Sequence, residues 1–433
     1  MSIIFSHPGA LAPGRRPCAG TRLARLSFML SMLLGSATAH SGAAETPSFA
    51  VLLRQAQSTA PQLLEQAANV QAADADARQA RAWTNPTIGA SVENLGAPQS
   101  GGMSQRQDTY TVTQVFETGG KRAARIDAER SRSAAVGARA RQLRLAFAGQ
   151  LALAYATAEA MQLRRELAEA DLGRATEDLR AAAALVEAGR EAALRLAQAR
   201  AGMAAAQAGV ELARADADEA LGSLSALVGA PEPFTHIDHP FLTAVTHVQP
   251  GADWLPDDAP VLDSAKAERD AVAAQVKVEQ ARALPDIGVT LGMRKFGWSD
   301  EKATTIGITA SIPLFDRNQA GVDAARARVA GAAMRLEGAR LAVQAEHRAA
   351  VSQVLASARR LQAAEQGEAA STEAYRLGRL GYDAGKTPLL ELLAIRRALS
   401  DAKALTIDAR LARVRALATL SLAEGRNLFG EAP

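Results

Sequence analysis

The side chains able to do chemistry are few and poorly placed for it. His236, Asp238, His239 and His247 stand close together. Imidazole and carboxylate groups ligate zinc, but a tight site needs them converged by a helical or strand register. Here they are spread among Pro231, Pro233, Pro240 and Pro250, so exposed loop residues are expected, with no metal site and no cofactor. The sole cysteine, Cys18, precedes the apolar run 26–34 and is expected to leave with a targeting segment, which leaves neither a disulfide nor a thiol nucleophile. His347 is the only other histidine within helical sequence beyond that segment, and no nucleophile motif or phosphate-binding glycine loop follows a strand. The sequence does not read as an enzyme.

Two short alternating stretches carry a different chemistry, that of a surface with two solvents. Within 84–125, Ile88, Ala90 and Val92 alternate with Thr87, Gly89, Ser91 and Glu93. Asn85-Pro86 ends the helical sequence before them, and Gly119-Gly120 lets the chain bend before Lys121. The pattern returns in 285–322: Ile287, Val289, Leu291 and Met293 alternate with Gly288, Thr290, Gly292 and Arg294, and Ile306, Ile308, Ala310 and Ile312 with Thr305, Gly307, Thr309 and Ser311. Apolar on one side and small or hydroxylated on the other fits a barrel wall between lipid and water. Strands are expected at about 86–94, 108–117, 286–294 and 303–313, roughly the nine or ten residues that cross a bilayer core at a tilt.

Helical rods must position these strands. Thr46 is expected to cap a helix starting at Pro47 and running through Ala60-Pro61 to Ala82; the Gln79-Ala80-Arg81-Ala82 tail recurs as Gln280-Ala281-Arg282-Ala283. From Lys121 to about Glu187 there is no proline, and Leu143, Phe147, Leu151 and Ala154 recur at helical spacing, which predicts a rod on the order of 100 Å long. Gly189 and Gly385 mark equivalent turns, with Thr387 as N-cap and Pro388 at the first position of the closing helix. The organisation expected is a signal peptide at 1–39 (cleavage alternatively near 44), a first repeat at 45–229, a proline-rich linker at 230–259 crossing the outside of the bundle, and a second repeat at 260–430.

Composition agrees with rods. Aromatic residues are 4% of 433, thin for globular cores, while alanine and leucine carry the apolar content. The net charge of +3 has no basic block, so no nucleic-acid partner is expected. After the targeting segment no apolar run is long enough for a transmembrane helix, which leaves strands to cross any membrane.

Helix, strand pair, long helix, glycine turn and returning helix, occurring twice, resemble the TolC-like outer-membrane factors across essentially the whole mature chain. Val92-Glu93-Asn94-Leu95-Gly96 and Phe116-Glu117-Thr118-Gly119-Gly120-Lys121-Arg122-Ala123-Ala124-Arg125-Ile126 are most similar to the CzcC-type members, which serve heavy-metal efflux. The resemblance implies a mainly helical chain with a transmembrane β-barrel, built as a homotrimer with twelve strands in outer-membrane lipid and a helical tunnel in the periplasm. It implies a periplasmic membrane-fusion adaptor and an inner-membrane transporter of the resistance-nodulation-division class as partners, and passive conduction as the function. The alternatives are an outlet for drugs or type I protein secretion, and, from another class, a soluble periplasmic coiled-coil adaptor.

The resemblance also implies a constriction near the helical tips, where a tyrosine precedes the second tip glycine and acids follow it. Tyr382, Asp383 and Glu391 fit that pattern, while Ala394 stands where a second acid is expected. Arg195 is the pseudo-symmetric counterpart of Glu391, and the two are expected either to pair between neighbouring hairpins or to be solvated surface charges. Gly189, Arg190, Gly385 and Lys386 are the expected adaptor contacts. Lys121, Arg122, Arg125 and Arg317, next to the hairpins, are expected either to meet lipid phosphates or to be ordinary charges at a helix start.

Overall fold

The computed structural model describes residues 45–99, 101–245 and 259–429. The expected signal peptide with Cys18, the 246–258 part of the linker and His247 lie outside the described residues.

After the short strand β1 (Glu45–Thr46) come α1 (Phe49–Thr59) and α2 (Pro61–Gln79). The single helix expected from Pro47 through Pro61 is therefore two helices with a later start. Thr46 does not cap: β1 pairs in parallel with β4 (His236–Ile237), and the Thr46 hydroxyl donates to the His236 carbonyl, so Ser48 takes the N-cap position. Pro61 forces Ala60 out of helical geometry (ψ 119°) and ends α1.

A hairpin follows, β2 (Thr87–Glu93) and β3 (Gln107–Phe116), then α3 (Lys121–Glu187), 67 residues without a proline, and α4 (Ala193–Val228). The second half runs α6 (Pro260–Arg282), β5 (Ile287–Phe296), β6 (Lys302–Ala310), α7 (Gln319–Asp383) and α8 (Leu389–Glu424), with the one-turn α5 (Leu242–Val245) in the linker. The strand expected to reach 313 stops at Ala310, short of Pro313, which has no N–H to give a ladder. Similarly, α8 begins at Leu389 and its N-cap is Pro388, not Thr387. Pro388 keeps an extended backbone (ψ 148°) while its carbonyl accepts from Glu391 and Leu392, at 3.1 and 3.2 Å.

The strands form one antiparallel sheet in the order β2-β3-β5-β6. Helices repeat that order beneath it: α2 packs on α3, α3 on α6, and α6 on α7. Further along the rods α4, α3, α8 and α7 are successive neighbours, so a layer four elements wide continues from the sheet to the tips. Ion pairs join the rods across this layer, Arg335 to Glu268 at 3.3 Å, Arg410 to Glu365 at 3.3 Å and Arg396 to Asp178 at 2.5 Å.

The core sits midway along the rods. Phe49 of α1, Tyr155 of α3, Phe241 of the linker and Phe429 after α8 gather there, with ring centroids 4.7 Å apart for Phe49–Phe241 and 5.4 Å for Tyr155–Phe241. Along its described length the linker runs over the rods with Pro231, Pro233, Asp238, His239 and Pro240 exposed, and it also inserts Ile237, Phe241, Leu242 and Val245 into this core.

Candidate conduction path

The sheet registers set its two surfaces. Ile88, Val112, Leu291 and Ile306 are aligned across all four strands, with Gln114, Val289 and Ile308 in the row on one side and Ala90, Tyr110, Met293 and Thr304 on the other. This surface is bulky and open: Ile88 is 81% exposed, Ile306 77% and Ile308 75%. A patch of that size in water would be an aggregation site; in hydrocarbon it is the stable state. The opposite surface aligns Gly89, Thr111, Gly292 and Thr305, and beside them Thr87, Thr113, Thr290 and Gly307. Thr113 and Thr290 hydroxyls meet at 2.8 Å. A Cβ on Gly292 would come within 2.6 Å of the Thr305 hydroxyl, so the small residue is what allows the close fit. Small residues on one face and large ones on the other let a sheet curl toward the hydroxyl side, which becomes the inner wall.

Two edges of this sheet are open, β2 and β6, each a row of unpaired backbone groups. Four strands cannot close around water, and bare edges cannot stay in lipid.

The turn from β3 into α3 fixes the sheet on its rods. Gly119 and Gly120 both take left-handed backbone (φ 62° and 74°), and a Cβ at Gly119 would run into the Leu284 side chain at 2.0 Å. Glu117 holds Arg125, whose guanidinium also donates to the Ala80 and Ala82 carbonyls at 3.1 Å, closing the end of α2. Lys121 pairs with Asp286 at 2.8 Å; Arg122 donates to the Arg81 carbonyl and lies 4.9 Å over the Trp83 ring; the Thr118 hydroxyl donates to the Pro285 carbonyl. Lys121, Arg122 and Arg125 thus all have partners within the chain. In the second half, Asn318 (φ 53°) precedes α7 and donates to the Glu279 carbonyl and carboxylate at 2.8 and 2.9 Å. That bond is the main reason the Glu279 carboxyl is held below its ordinary pKa.

At the far end the two tips are built alike. Gly189 and Gly385 (φ 66° and 69°) turn the chain, the Arg190 N–H donates to the Leu185 carbonyl at 2.9 Å, and the Lys386 N–H to Gly381 at 2.8 Å. Arg195 donates its N–H to Ala192 and Glu391 to Pro388, so these two side chains hold the same place in successive hairpins. They do not meet within the chain: Arg195 lies 4.0 Å from Glu191 in the tip turn just before its helix, and Asp383 lies 4.0 Å from Arg379. Tyr382 is half-buried, while Gly189, Arg190, Gly385, Lys386, Asp383 and Glu391 are exposed.

A buried polar cluster in the core escaped the sequence reading. One oxygen of Glu159 accepts from the Phe241 and Leu242 N–H groups, both at 2.9 Å, and Gln162 bonds both the N–H and the carbonyl of Ile237, at 2.9 and 3.2 Å. Burial raises the Glu159 carboxyl above its ordinary value, opposed by the two N–H groups and by Arg410; burial also raises Tyr155. The signal was present: 151, 155, 158 and 162 mark one face of α3, and Gln162 stands on it with Glu159 beside it, polar residues where apolar ones belong. His236 in turn lies 3.3 Å from Asp238, and no group of three metal-ligating side chains occurs among the described residues.

The family profile described as "Outer membrane efflux protein" matches residues 52–230 and 257–426. The chain belongs to this family. That membership removes the soluble periplasmic adaptor as a reading. This efflux protein is 56% identical over 399 residues to the nickel-cobalt-cadmium resistance protein NccC of Alcaligenes xylosoxydans xylosoxydans, covering 92% of this chain and 91% of the relative. It is 52% identical to the nickel and cobalt resistance protein CnrC of Cupriavidus metallidurans, covering 94% and 98%. With the cobalt-zinc-cadmium resistance protein CzcC of the same organism it shares 28% identity over 75% of this chain and 77% of the relative. Among solved structures it resembles CusC, described as undergoing conformational changes on folding and transmembrane channel formation, with a TM-score of 0.74 at 19% identity, covering 87% of this chain and 92% of CusC. The fold of this efflux protein is thus that of the TolC-like outer-membrane channels.

Proposed function

We propose that this protein is the outer-membrane channel of a tripartite efflux system, conducting heavy-metal cations passively to the exterior. The observation that carries the channel reading is the two-faced sheet with two open edges, which three copies would join into one twelve-stranded barrel. The rods support the same closure. On α7, Met334, Leu341 and Leu355 are exposed at multiples of seven residues, with Leu377 and Leu380 further on, and this helix forms one side of the layer. The other side is α2 and α4, where Leu64, Leu194 and Leu212 are exposed, so each copy offers the next an apolar seam.

The names of NccC, CnrC and CzcC support nickel, cobalt, cadmium or zinc as the cargo. The inner wall suits such cargo, because hydroxyl groups and glycines pass a hydrated cation without trapping it. Energy and choice of substrate belong to an inner-membrane transporter and a periplasmic adaptor, the latter met at Gly189, Arg190, Gly385 and Lys386. Tyr382, Asp383, Glu391 and Arg195 form the constriction, with Arg195 and Glu391 pairing between neighbouring copies. The test is a deletion strain grown against nickel, cobalt, cadmium, zinc, copper and a dye panel. Sensitivity to one or more of the metals, restored by the full chain, is expected; sensitivity to dyes alone would make this a drug outlet.

A further inference from the structure

Beyond its apolar rows the outward face of the sheet carries a charged one. Val92, Asp108, Lys295 and Lys302 are aligned across β2, β3, β5 and β6. They lie on the same face as Ile88, Val112, Leu291 and Ile306, four residues further toward the β2–β3 and β5–β6 turns. Lys295 and Lys302 are direct cross-strand partners. Like charges so placed repel, and an anion is needed to offset them. The carboxylate in the row is engaged elsewhere, since Asp108 takes the Arg106 guanidinium on both oxygens, at 2.8 and 3.2 Å. Of the other acids at this end, Glu93 lies on the opposite face and Asp300 and Glu301 are exposed in the turn, and among the described residues neither lysine has an ion-pair partner.

What surrounds the lysines resembles the boundary between acyl chains and headgroups. A cavity of about 400 Å³ lies beside Lys295, lined also by Arg106, Asp108, Trp298 and Asp300. Trp298 and Tyr110 are both exposed, Tyr110 on the outward face one row below the lysines and Trp298 in the turn beyond them. On this face the apolar rows come first, then Tyr110, then the lysines, with Trp298 in the turn beyond them, an order in which a protein wall leaves hydrocarbon and meets phosphate.

We infer that Lys295 and Lys302, with Arg106 beside them, bind the phosphate of an anionic glycolipid in the outer leaflet. The phosphate supplies the negative charge that the lysine pair lacks, and the Trp298 ring covers the glycan or acyl part next to it. The inference rests on the barrel reading, because only that reading puts this face in lipid.

The test is native mass spectrometry of the full-length protein in detergent, titrated with lipid A bearing both phosphates, with lipid A stripped of phosphate, and with inorganic phosphate. Wild type is expected to bind the phosphorylated lipid in preference to both other probes. Lys295→Ala/Lys302→Ala is expected to weaken that binding roughly thirtyfold, at about 1 kcal/mol per lysine near an anionic surface, and Lys295→Arg/Lys302→Arg to keep it. Equal affinity for the two lipids, equal affinity of wild type and the alanine variant, or equally tight binding of inorganic phosphate would overturn it. The same spectra separate the two readings: an intact oligomer without phosphate preference removes only this site, whereas a wild-type monomer removes the channel.

Discussion

Glu159 ties the linker to α3 through one carboxylate oxygen shared by two backbone N–H groups. Replacing it with alanine leaves both donors buried without an acceptor, at a cost of ~1–3 kcal/mol, readable as a lower unfolding midpoint. Its raised pKa adds a pH signature. The folded chain holds the Glu159 proton more tightly than the unfolded chain does, so stability falls as pH rises from the ordinary carboxylate value of 4.5 toward the higher folded one. Glu159→Gln, which keeps an acceptor without the charge, should flatten that slope in melting curves recorded across this window. An unchanged slope would mean that the carboxylate is not the group titrating. At the tips, Glu391→Ala should raise single-channel conductance if Glu391 meets Arg195 of a neighbouring copy, and conductance unchanged at every pH would remove that pair. Residue roles were the least legible part of the sequence. The contacts of Lys121, Arg122 and Arg125 could not be read because their partners, Asp286, the Arg81 carbonyl and Glu117, are brought to them by the fold, two of the three from distant sequence.

The elements were far more legible, because hydrophobic period and proline-free length are local properties. The 67-residue α3 and the two strand pairs follow from spacing alone. The ends were misread where a local signal met a tertiary competitor. Thr46 has the chemistry of a cap, yet pairing with His236 and Ile237 claims its backbone and hydroxyl. The linker's Pro231, Pro233 and Pro240 are exposed as their type suggests, but the side chains that dip into the core between them were not legible. Glu159 and Gln162 supply the hydrogen bonds that burial of Ile237, Phe241 and Leu242 requires. The joint between sheet and rods yields a graded prediction. Gly119→Ala must adopt left-handed backbone and also displace Leu284, whereas Gly189→Ala at a tip has open space and only the backbone strain of ~1 kcal/mol. In thermal melts of the purified protein Gly119→Ala should therefore be the more damaging of the two, and the Leu284→Ala background should recover part of the loss. Equal effects would show that the Gly119 turn is looser than its contacts suggest.

At the scale of the whole molecule, a chain with an exposed apolar sheet face, two bare edges and an apolar stripe along α7 is incomplete alone. Hydrophobic burial of that stripe against α2 and α4 of a next copy, edge pairing of β6 with β2, and immersion of the sheet in lipid would satisfy all three at once. The sequence could show the alternation that requires this, but not the register that aligns Ile88, Val112, Leu291 and Ile306 into one band, since cross-strand partners are chosen by the folded sheet. Aspartate at Leu341 and Leu355 together should weaken the seam and release single chains in detergent, while the same change at the buried Leu361 should instead prevent folding. The most direct measurement of the central claim is sedimentation equilibrium of the purified full-length wild-type protein in density-matched detergent. A mass of three chains per particle, with no soluble fraction once detergent is removed, is the predicted result. A single chain that stays in solution without detergent would contradict the account.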